Sequence, residues 1–284
     1  MNRLSIILPA RNEAAALSTL LPALRAAQPD AEIIVVDDGS TDDTRTICAA
    51  HHVDCLSSPY SMGNGAAVKR GARAATGDIF VFMDGDGQHD PADVARLLVK
   101  LEQGHDMVVG ARDWSSQAGV GRGVANTLYN WIATRMTGHQ VADLTSGFRA
   151  VRADKFRDFL YLLPNGFSYP TTCTMAFFRS AYAVAYLPIK AAQRVGKSHI
   201  RPLRDGIRFL LIIFKIATLY SPLKLFVPAS AVFFLLGCAN YAWTFVHAGR
   251  LTNMSTLLWS AAVIVFLIGL ISEQITALTY QKRS

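Results

Sequence analysis

Ile79-Phe80-Val81-Phe82-Met83-Asp84-Gly85-Asp86-Gly87-Gln88 joins an unbroken apolar run to a tight acidic turn. The run predicts a strand buried on both faces, because continuous apolar residues leave no face for water. The two glycines predict a sharp turn at the strand's carboxyl end, presenting the carboxylates of Asp84 and Asp86 and the amide of Gln88 together. Oxygen donors of this kind suit Mg²⁺ or Mn²⁺, which keep several waters and complete their shell with substrate phosphates. A nucleoside diphosphate is the matching partner. A D-x-D alone equally describes a solvated acidic turn, so the neighbouring segments carry the decision.

Upstream of this stretch, Leu4-Ser5-Ile6-Ile7-Leu8 and Glu32-Ile33-Ile34-Val35-Val36 read as further buried strands, with a short one near Cys55. Helix-like stretches lie between them, from Ala14 to Ala27, Asp42 to His51 and Gly65 to Ala75. This βαβαβ rhythm predicts an α/β fold with a parallel sheet covered on both faces, in which ligands bind beyond the carboxyl ends of the strands. Polar clusters fall at those ends: Pro9-Ala10-Arg11-Asn12-Glu13, Asp37-Asp38-Gly39-Ser40-Thr41-Asp42 and the Asp84 turn. Asn12, Ser40, Thr41 and Asp42 serve equally well as helix caps. Asp37 and Asp38 differ, because adjacent acids closing an apolar strand are costly unless a ligand or partner uses them. The base N–H and ribose hydroxyls of a nucleoside would do so. No G-x-x-x-x-G-K-[ST] occurs, and Gly63-Asn64-Gly65 lacks the spacing of a dinucleotide fingerprint, so neither a P-loop NTPase nor a dinucleotide-binding domain is expected.

The 284 residues carry a formal net charge of +7, unevenly placed. Between Arg194 and Lys224 seven Lys and Arg residues face one acid, Asp205. Such a stripe fits nucleic acid or an anionic membrane surface, and the segments on its C-terminal side decide between them. Leu223 to His247 has no Asp, Glu, Lys or Arg after Lys224, and Leu257 to Leu278 has only Glu273. Both approach the ~20 apolar residues of a bilayer-crossing helix, with Tyr220, Tyr241, Trp243, Trp259 and Tyr280 at interface-belt positions. The segment from Ile207 to Tyr220, punctuated by Arg208 and Lys215, reads as an interfacial helix. A membrane partner is therefore expected and nucleic acid is not. Arg250 is the only charge in the connection between the spans, so the positive-inside rule puts both termini in the cytoplasm. Cys48, Cys55, Cys173 and Cys238 form no C-x-x-C pair and no zinc pattern, and the chain opens on a strand-like segment, so a reducing cytosolic face is expected.

With the Pro9 to Glu13 turn, Asp37-Asp38-Gly39-Ser40, Asp84-Gly85-Asp86-Gly87-Gln88 and Thr145-Ser146-Gly147-Phe148-Arg149, the whole chain resembles glycosyltransferase family 2. It is most similar to the polyprenyl-phosphate branch, with dolichol-phosphate mannose synthase and bacterial undecaprenyl-phosphate sugar transferases. The resemblance implies a Rossmann-like GT-A domain over 1–200, a juxtamembrane amphipathic segment over 201–222, and two transmembrane helices within 223–284, at about 223–247 and 257–278. It implies a multi-pass inner-membrane enzyme that moves a sugar, with inversion, from a nucleotide sugar to a polyprenyl phosphate at the cytoplasmic face. A UDP-sugar is favoured over GDP-mannose, and Mg²⁺ or Mn²⁺ is the implied cofactor.

By the same resemblance Pro9, Arg11, Glu13, Asp37, Asp38, Asp84 and Gly85 hold the donor, and Asp84, Asp86 and Gln88 the metal. Arg194 and Lys197 belong to a loop closing over the diphosphate. Arg112, Arg122, Asn126 and Ser198 are expected at the acceptor phosphate. Asp86, Arg112 and Asp143 are the expected catalytic residues, Asp143 either as a base or as the residue that orients an arginine; a pairing with Arg149 is open. The chain departs from the pattern at Asn64, where relatives carry Lys, and at Gly85, where they carry Ala. Lys69 or Arg70 could replace the first charge, or the contact could be missing. The second change loosens the turn without altering its ligands. A family 2 transferase with another acceptor and a non-catalytic sugar-nucleotide scaffold are the competing readings, and a homo-oligomer packed through small residues of the spans is compatible with all of them.

Overall fold

In the computed structural model the described residues are 3–112, 120–166, 169–190, 211, 214, 218 and 220–280, with side chains described only from 126 onward in the helix that starts at 120. The chain divides into two compact units, Met1–Phe209 and Leu210–Ser284.

The first unit is built on a seven-stranded sheet. In chain order its described elements are β1 (Leu4–Ala10), α1 (Ala14–Ala27), β2 (Glu32–Asp37), α2 (Thr44–Ala50), β3 (Asp54–Ser57), α3 (Asn64–Ala74), β4 (Ile79–Phe82), α4 (Ala92–Glu102), β5 (Met107–Arg112), α5 (Val120–Thr137), β6 (Arg149–Arg152), α6 (Ala153–Arg157), α7 (Tyr169–Arg179) and β7 (Val184–Ile189). The strand order is β3-β2-β1-β4-β6-β5-β7.

Both faces are covered, as the apolar runs require. On one face Ile6, Leu8, Ile33, Val35 and Val81 join Leu17, Leu20, Leu21 and Leu24 of α1 and Val94, Leu97 and Leu101 of α4 in one cluster. Those helix positions recur every three or four residues, so each helix buries a single stripe. On the other face Phe82 meets Phe156 with ring centroids 4.6 Å apart and Tyr169 at 6.5 Å. Full burial of such side chains contributes about 1.5–3 kcal/mol each, which is why β4 needs no polar edge.

The sheet is mixed, not parallel throughout. β1, β2, β3 and β4 run parallel, and so do β5 and β7, but β6 lies antiparallel between β4 and β5. Arg149-Ala150-Val151-Arg152 has four residues and a charge at each end, so periodicity gives it no strand signature. Its direction has a consequence for the site: the carboxyl ends of β1, β2, β4 and β5 and the amino end of β6 share one sheet edge.

The second unit is a hairpin of α8 (Leu223–Ala248) and α9 (Asn253–Tyr280), each long and apolar enough to cross a membrane. Both outlast the expected spans and shorten the connection to 249–252. Gly249, at φ +61°, ends α8 in the left-handed conformation that glycine tolerates best. The helices pack antiparallel through small residues. A Cβ on Gly237 would lie 2.6 Å from Trp259 and one on Gly269 would lie 2.6 Å from Phe226. Ser230 donates to the carbonyl of Ala262 at 2.8 Å, and the Asn240 side-chain oxygen accepts from Ser255 at 2.9 Å and Thr252 at 3.2 Å. Glu273 accepts from the Ser221 hydroxyl at 3.0 Å and the Leu223 N–H at 3.3 Å, capping the start of α8. Of the expected interfacial helix over 207–220 only positions 211, 214, 218 and 220 are described, and all four are helical.

Candidate active site

A cavity of about 440 Å³ opens at the carboxyl edge, lined by Pro9, Ala10, Arg11, Glu13, Asp38, Ser61, Gly63, Asn64, Ala67, Asp84, Gly85 and Asp86. It sits beside β1, where the strand order reverses, the usual ligand position in an open α/β sheet. Six residues expected at the donor line it: Pro9, Arg11, Glu13, Asp38, Asp84 and Gly85. Asp86 joins them.

The turns after β1 and β2 are stitched together by the residues that doubled as candidate caps. Asn12, held at φ +57°, donates its N–H to Ser40 at 2.9 Å, and its side-chain oxygen accepts the Thr41 N–H at 2.8 Å. Asp42 accepts from the Ala14 N–H at 3.0 Å and the Thr44 N–H at 3.1 Å, serving the starts of α1 and α2 at once. These residues form the frame of the cavity, and none of them lines it.

Asp37 and Asp38 separate in role. Asp37 does not line the cavity; it is fully buried and accepts from Arg45 Nε at 2.7 Å and the Ser40 N–H at 2.8 Å. Burial pushes its carboxyl up, but the hydrogen bonds from Ser40 and Arg45 outweigh that and hold it below the usual carboxylate value. Asp38 turns into the cavity and accepts from the Ser61 hydroxyl at 2.7 Å, the Met62 N–H at 2.6 Å and the Gly63 N–H at 2.9 Å. A carboxylate offers about four lone-pair directions, so one remains for a ligand.

The donor set at the Asp84 turn fits a divalent cation that shares its shell with phosphate. Among the described residues no three His, Cys, Asp or Glu side chains converge on one point. Two carboxylates on the wall of a cavity match the habit of Mg²⁺ and Mn²⁺, which are seldom caged by protein alone. Space is reserved beside them: a Cβ on Gly147 would come within 3.2 Å of Asp84 Oδ2 and 3.3 Å of the Tyr169 hydroxyl. Gln88 follows on the same turn, its N–H donating to Asp86 at 3.2 Å, and does not line the cavity. The substitution of Gly for Ala at 85 leaves the turn packed: a Cβ there would lie 3.1 Å from the Ala10 Cβ and 3.2 Å from the Pro9 carbonyl.

Neither cation considered for the phosphate contact lines the cavity, and both are hydrogen-bonded elsewhere. Lys69 donates to the Leu163 carbonyl at 3.0 Å and to the Asn165 side chain, and Arg70 donates to the Ser57 carbonyl at 2.8 Å and the Ser58 hydroxyl at 2.9 Å.

On the far side of β4 a second constellation forms around Arg112, at the end of β5. Its guanidinium grips Asp143 with two bonds, Nε to Oδ2 at 2.8 Å and Nη2 to Oδ1 at 3.1 Å, and reaches the Thr145 hydroxyl at 2.8 Å. Asp143 Oδ1 also accepts the N–H groups of Thr145 and Ser146, each at 3.1 Å. The Thr145 hydroxyl leads on to Asn126 at 3.5 Å. Burial raises Asp143, yet the Arg112 pair and these N–H bonds hold it below the usual carboxylate value. Burial likewise works against the Arg112 charge, and the bond to Asp143 and the field of Asp143 and Asp84 overcome it. The open choice at Asp143 closes on Arg112: Arg149 is wholly buried elsewhere, donating to the carbonyls of Ser146 and of Pro170 (3.2 Å) and to the Thr174 hydroxyl at 3.3 Å.

Residues 5–160 match Glycosyl transferase family 2, and residues 221–278 match the GtrB C-terminal hairpin. The chain belongs to glycosyl transferase family 2. Among family members it is 30% identical over 216 residues to the undecaprenyl-phosphate mannosyltransferase of Micrococcus luteus, covering 69% of this chain and 86% of that one. It is 30% identical over 162 residues to the undecaprenyl-phosphate 4-deoxy-4-formamido-L-arabinose transferase of Proteus mirabilis, covering 54% and 49%. Among solved structures, glucosyl-3-phosphoglycerate synthase from Mycobacterium tuberculosis with Mg²⁺ and uridine diphosphate has a TM-score of 0.59 at 25% identity, covering 75% of this chain and 79% of that one.

Within this glycosyl transferase family 2 domain, several neighbours of the site carry no signal in the sequence. Ser61 and Ala67 line the cavity, beside the Asn64 already marked by the family pattern, because α3 starts beneath the 164–166 turn, a long-range contact with no local signature. His89 is equally silent. Its ring stacks on Phe148 with centroids 4.7 Å apart, and burial pushes its pKa down to about 4, so it stands neutral beside the acidic turn. Arg122 lies in α5, but its side chain is outside the described residues, as are Arg194, Lys197 and Ser198 altogether.

Proposed function

We propose that this family 2 glycosyltransferase moves a sugar, with inversion, from a nucleotide sugar, UDP-linked by preference, to a polyprenyl phosphate at the cytoplasmic membrane face, with Mg²⁺ or Mn²⁺. The observation that carries the reading is the common edge: an acidic turn in a nucleotide-sized cavity and a desolvated arginine held by Asp143 stand on either side of β4. The named activities of the Micrococcus luteus and Proteus mirabilis relatives support a polyprenyl phosphate acceptor. The cation and nucleotide in the mycobacterial synthase support the metal and the UDP preference.

Asp38, Arg11 and Glu13 take the nucleoside, while Asp84, Asp86 and Gln88 hold the cation against the diphosphate. When bound, the cation offsets the charge that builds on the leaving diphosphate. Arg112 turns its remaining donors to the acceptor phosphate, with Arg122 and Asn126 beside it. That phosphate is already anionic, so alignment and charge stabilisation carry the step and no strong base is needed. Asp143 has its oxygens occupied and is read as the residue that fixes Arg112.

The test is metal-dependent release of nucleoside diphosphate by the detergent-purified full chain from UDP- and GDP-sugars, with and without undecaprenyl phosphate. Release that needs one donor, the lipid and the cation is expected, and Asp86→Ala should abolish it with the fold retained. Release that ignores the lipid, or none with any donor, would overturn the reading.

A further inference from the structure

Two thiols that take no part in the chemistry above lie against each other beside the Arg45–Asp37 pair. Cys48 is on the last turn of α2 and Cys55 is the second residue of β3. A tight turn joins them, closed by the Val53 N–H on the Cys48 carbonyl at 3.0 Å. That turn brings β3 back against α2, so the buried Cys48 and the half-buried Cys55 pack in one apolar cluster. Their thiols are hydrogen-bonded to each other, and the Cys55 sulfur lies 3.6 Å from the Ser57 hydroxyl. The bond from Cys48, the Ser57 hydroxyl and the field of Arg45 hold the Cys55 thiol below its ordinary value against burial. The same bond and burial push Cys48 up. The two sulfurs are therefore unequal: Cys55 carries the thiolate and is reached by small solutes, and Cys48 is a protonated neighbour shut away from them.

We infer that Cys55 and Cys48 are a peroxide-responsive modification site, with Cys55 the point of attack and Cys48 the resolving thiol. The Cys55 thiolate attacks one oxygen of hydrogen peroxide. The O–O bond breaks, hydroxide leaves and takes a proton to become water, and Cys55 is left as a sulfenic acid. The Cys48 sulfur then attacks the Cys55 sulfur: the S–S bond forms, the S–O bond breaks, and the departing hydroxide takes the Cys48 proton as a second water. Two thiols and one peroxide give one disulfide and two waters, and a dithiol reductant reverses the change. An isolated thiol would stop at the sulfenic acid or pair with another molecule, whereas contact with a buried partner directs closure within the chain.

The bridge acts on the cavity through Arg45, which stands one turn before Cys48 on α2. Arg45 donates to Asp37 at 2.7 Å and to the Ser58 carbonyl at 3.4 Å, and the Ser58 N–H donates to the Asp37 carbonyl at 2.8 Å. Asp38 follows directly and lines the cavity. A disulfide is shorter than the contact the two sulfurs now make, so closure draws α2 toward β3 and moves Arg45 against both of its acceptors. This second step rests on the proposed donor site: bridging loosens the nucleotide held by Asp38.

The experiment treats the reduced, detergent-purified full chain with hydrogen peroxide, removes the excess with catalase, and alkylates the denatured protein before digestion. Trypsin releases residues 46–69 as one peptide holding both thiols, with Cys173 and Cys238 on others. Mass spectrometry should show that peptide two hydrogens lighter and without alkyl groups, Cys173 and Cys238 alkylated, and two alkyl groups on 46–69 after dithiothreitol. With dimedone present, Cys48→Ser should be trapped as the sulfenic acid adduct at Cys55, while Cys55→Ser should leave Cys48 unmodified. Both thiols still alkylated after peroxide, Cys55 oxidised beyond the sulfenic acid with Cys48 free, or dimedone on Cys48 as readily as on Cys55, overturns the inference. This readout needs neither nucleotide nor turnover, so it stands or falls separately from the proposed reaction. Calorimetric titration with uridine diphosphate and Mn²⁺ then tests the second step. The bridged protein should bind several-fold more weakly than the reduced one and recover with dithiothreitol, and Cys48→Ser treated with dithiothreitol after peroxide should match the reduced protein. Equal affinity of the bridged and reduced proteins would overturn the link to the cavity, whereas failure of the reduced protein to bind would count against the donor reading itself.

Discussion

At the scale of single residues, the distinction that matters is between carboxylates that face a cavity and carboxylates that hold other side chains. Asp37 and Asp143 are the second kind, and each is kept charged by an arginine and by backbone N–H groups. The sign of the Asp143 effect follows from its lowered pKa. Its ionised form stabilises the fold above the unfolded carboxylate value near 3.9, and that contribution fades as pH falls through the lower folded value. Asp143→Asn should therefore cost about 3 kcal/mol, leaving the half-buried Arg112 without its charge partner. The loss in melting temperature should stay constant from pH 6 to 8 and shrink below about pH 4. A loss that grows across neutral pH would instead mark Asp143 as a titrating base. Gly147 gives a second test. A methyl at that point presses on Asp84 Oδ2 and the Tyr169 hydroxyl, 3.2 and 3.3 Å away. Gly147→Ala should weaken Mn²⁺ activation about tenfold, as changes around metal ligands do, with little change in melting temperature. Titration of nucleotide release against Mn²⁺ would measure it. The acidic turn is legible in the sequence because composition alone marks it. The division between Asp37 and Asp38 is not, because it depends on Arg45 and Ser61, placed by the fold.

Among the elements, the boundaries that apolar periodicity controls are legible: the helix expected from Ala14 to Ala27 forms over those residues. β6 is not, since its pattern is too short and too charged, and its antiparallel direction depends on where α5 returns the chain. The helix expected from Gly65 to Ala75 forms over Asn64–Ala74, but the reason its start is built from glycines is hidden. Gly63 and Gly65 are required by the distant Pro164-Asn165-Gly166 turn, which lies against them. A Cβ on Gly65 would sit 2.0 Å from the Pro164 carbonyl, whereas one on Gly166 meets nothing within 4 Å. Gly65→Ala is therefore expected to destabilise by at least about 2 kcal/mol through backbone overpacking. Gly166→Ala should be neutral or slightly stabilising through the entropy of the unfolded chain. Equal melting temperatures for the two variants would refute the contact.

For the whole molecule, the apolar hairpin predicts behaviour that no feature of the sheet would produce. The chain should stay with membranes through a 1 M salt wash, which screens charge to a Debye length of about 3 Å, and leave only with detergent. On the orientation expected from the positive-inside rule, with both termini in the cytoplasm, Arg250→Cys in the short connection should react with an impermeant maleimide from outside intact cells; labelling only after lysis would refute that orientation. The sheet itself carries a longer-range implication. Because β6 runs against its neighbours, the chain departs from the site edge at Arg112 and rejoins it at Arg149, and the proposed acceptor residues Arg122, Asn126 and Asp143 fall in that interval. Every residue that lines the cavity comes earlier in the chain. On the proposed function, selection can thus lengthen, shorten or replace the excursion that precedes Asp143, changing which acceptor is recognised while the cavity and the Gly147 contact with Asp84 are inherited intact. Exchanging that one cassette between relatives is the route by which a single scaffold would diversify its lipid or small-molecule acceptors.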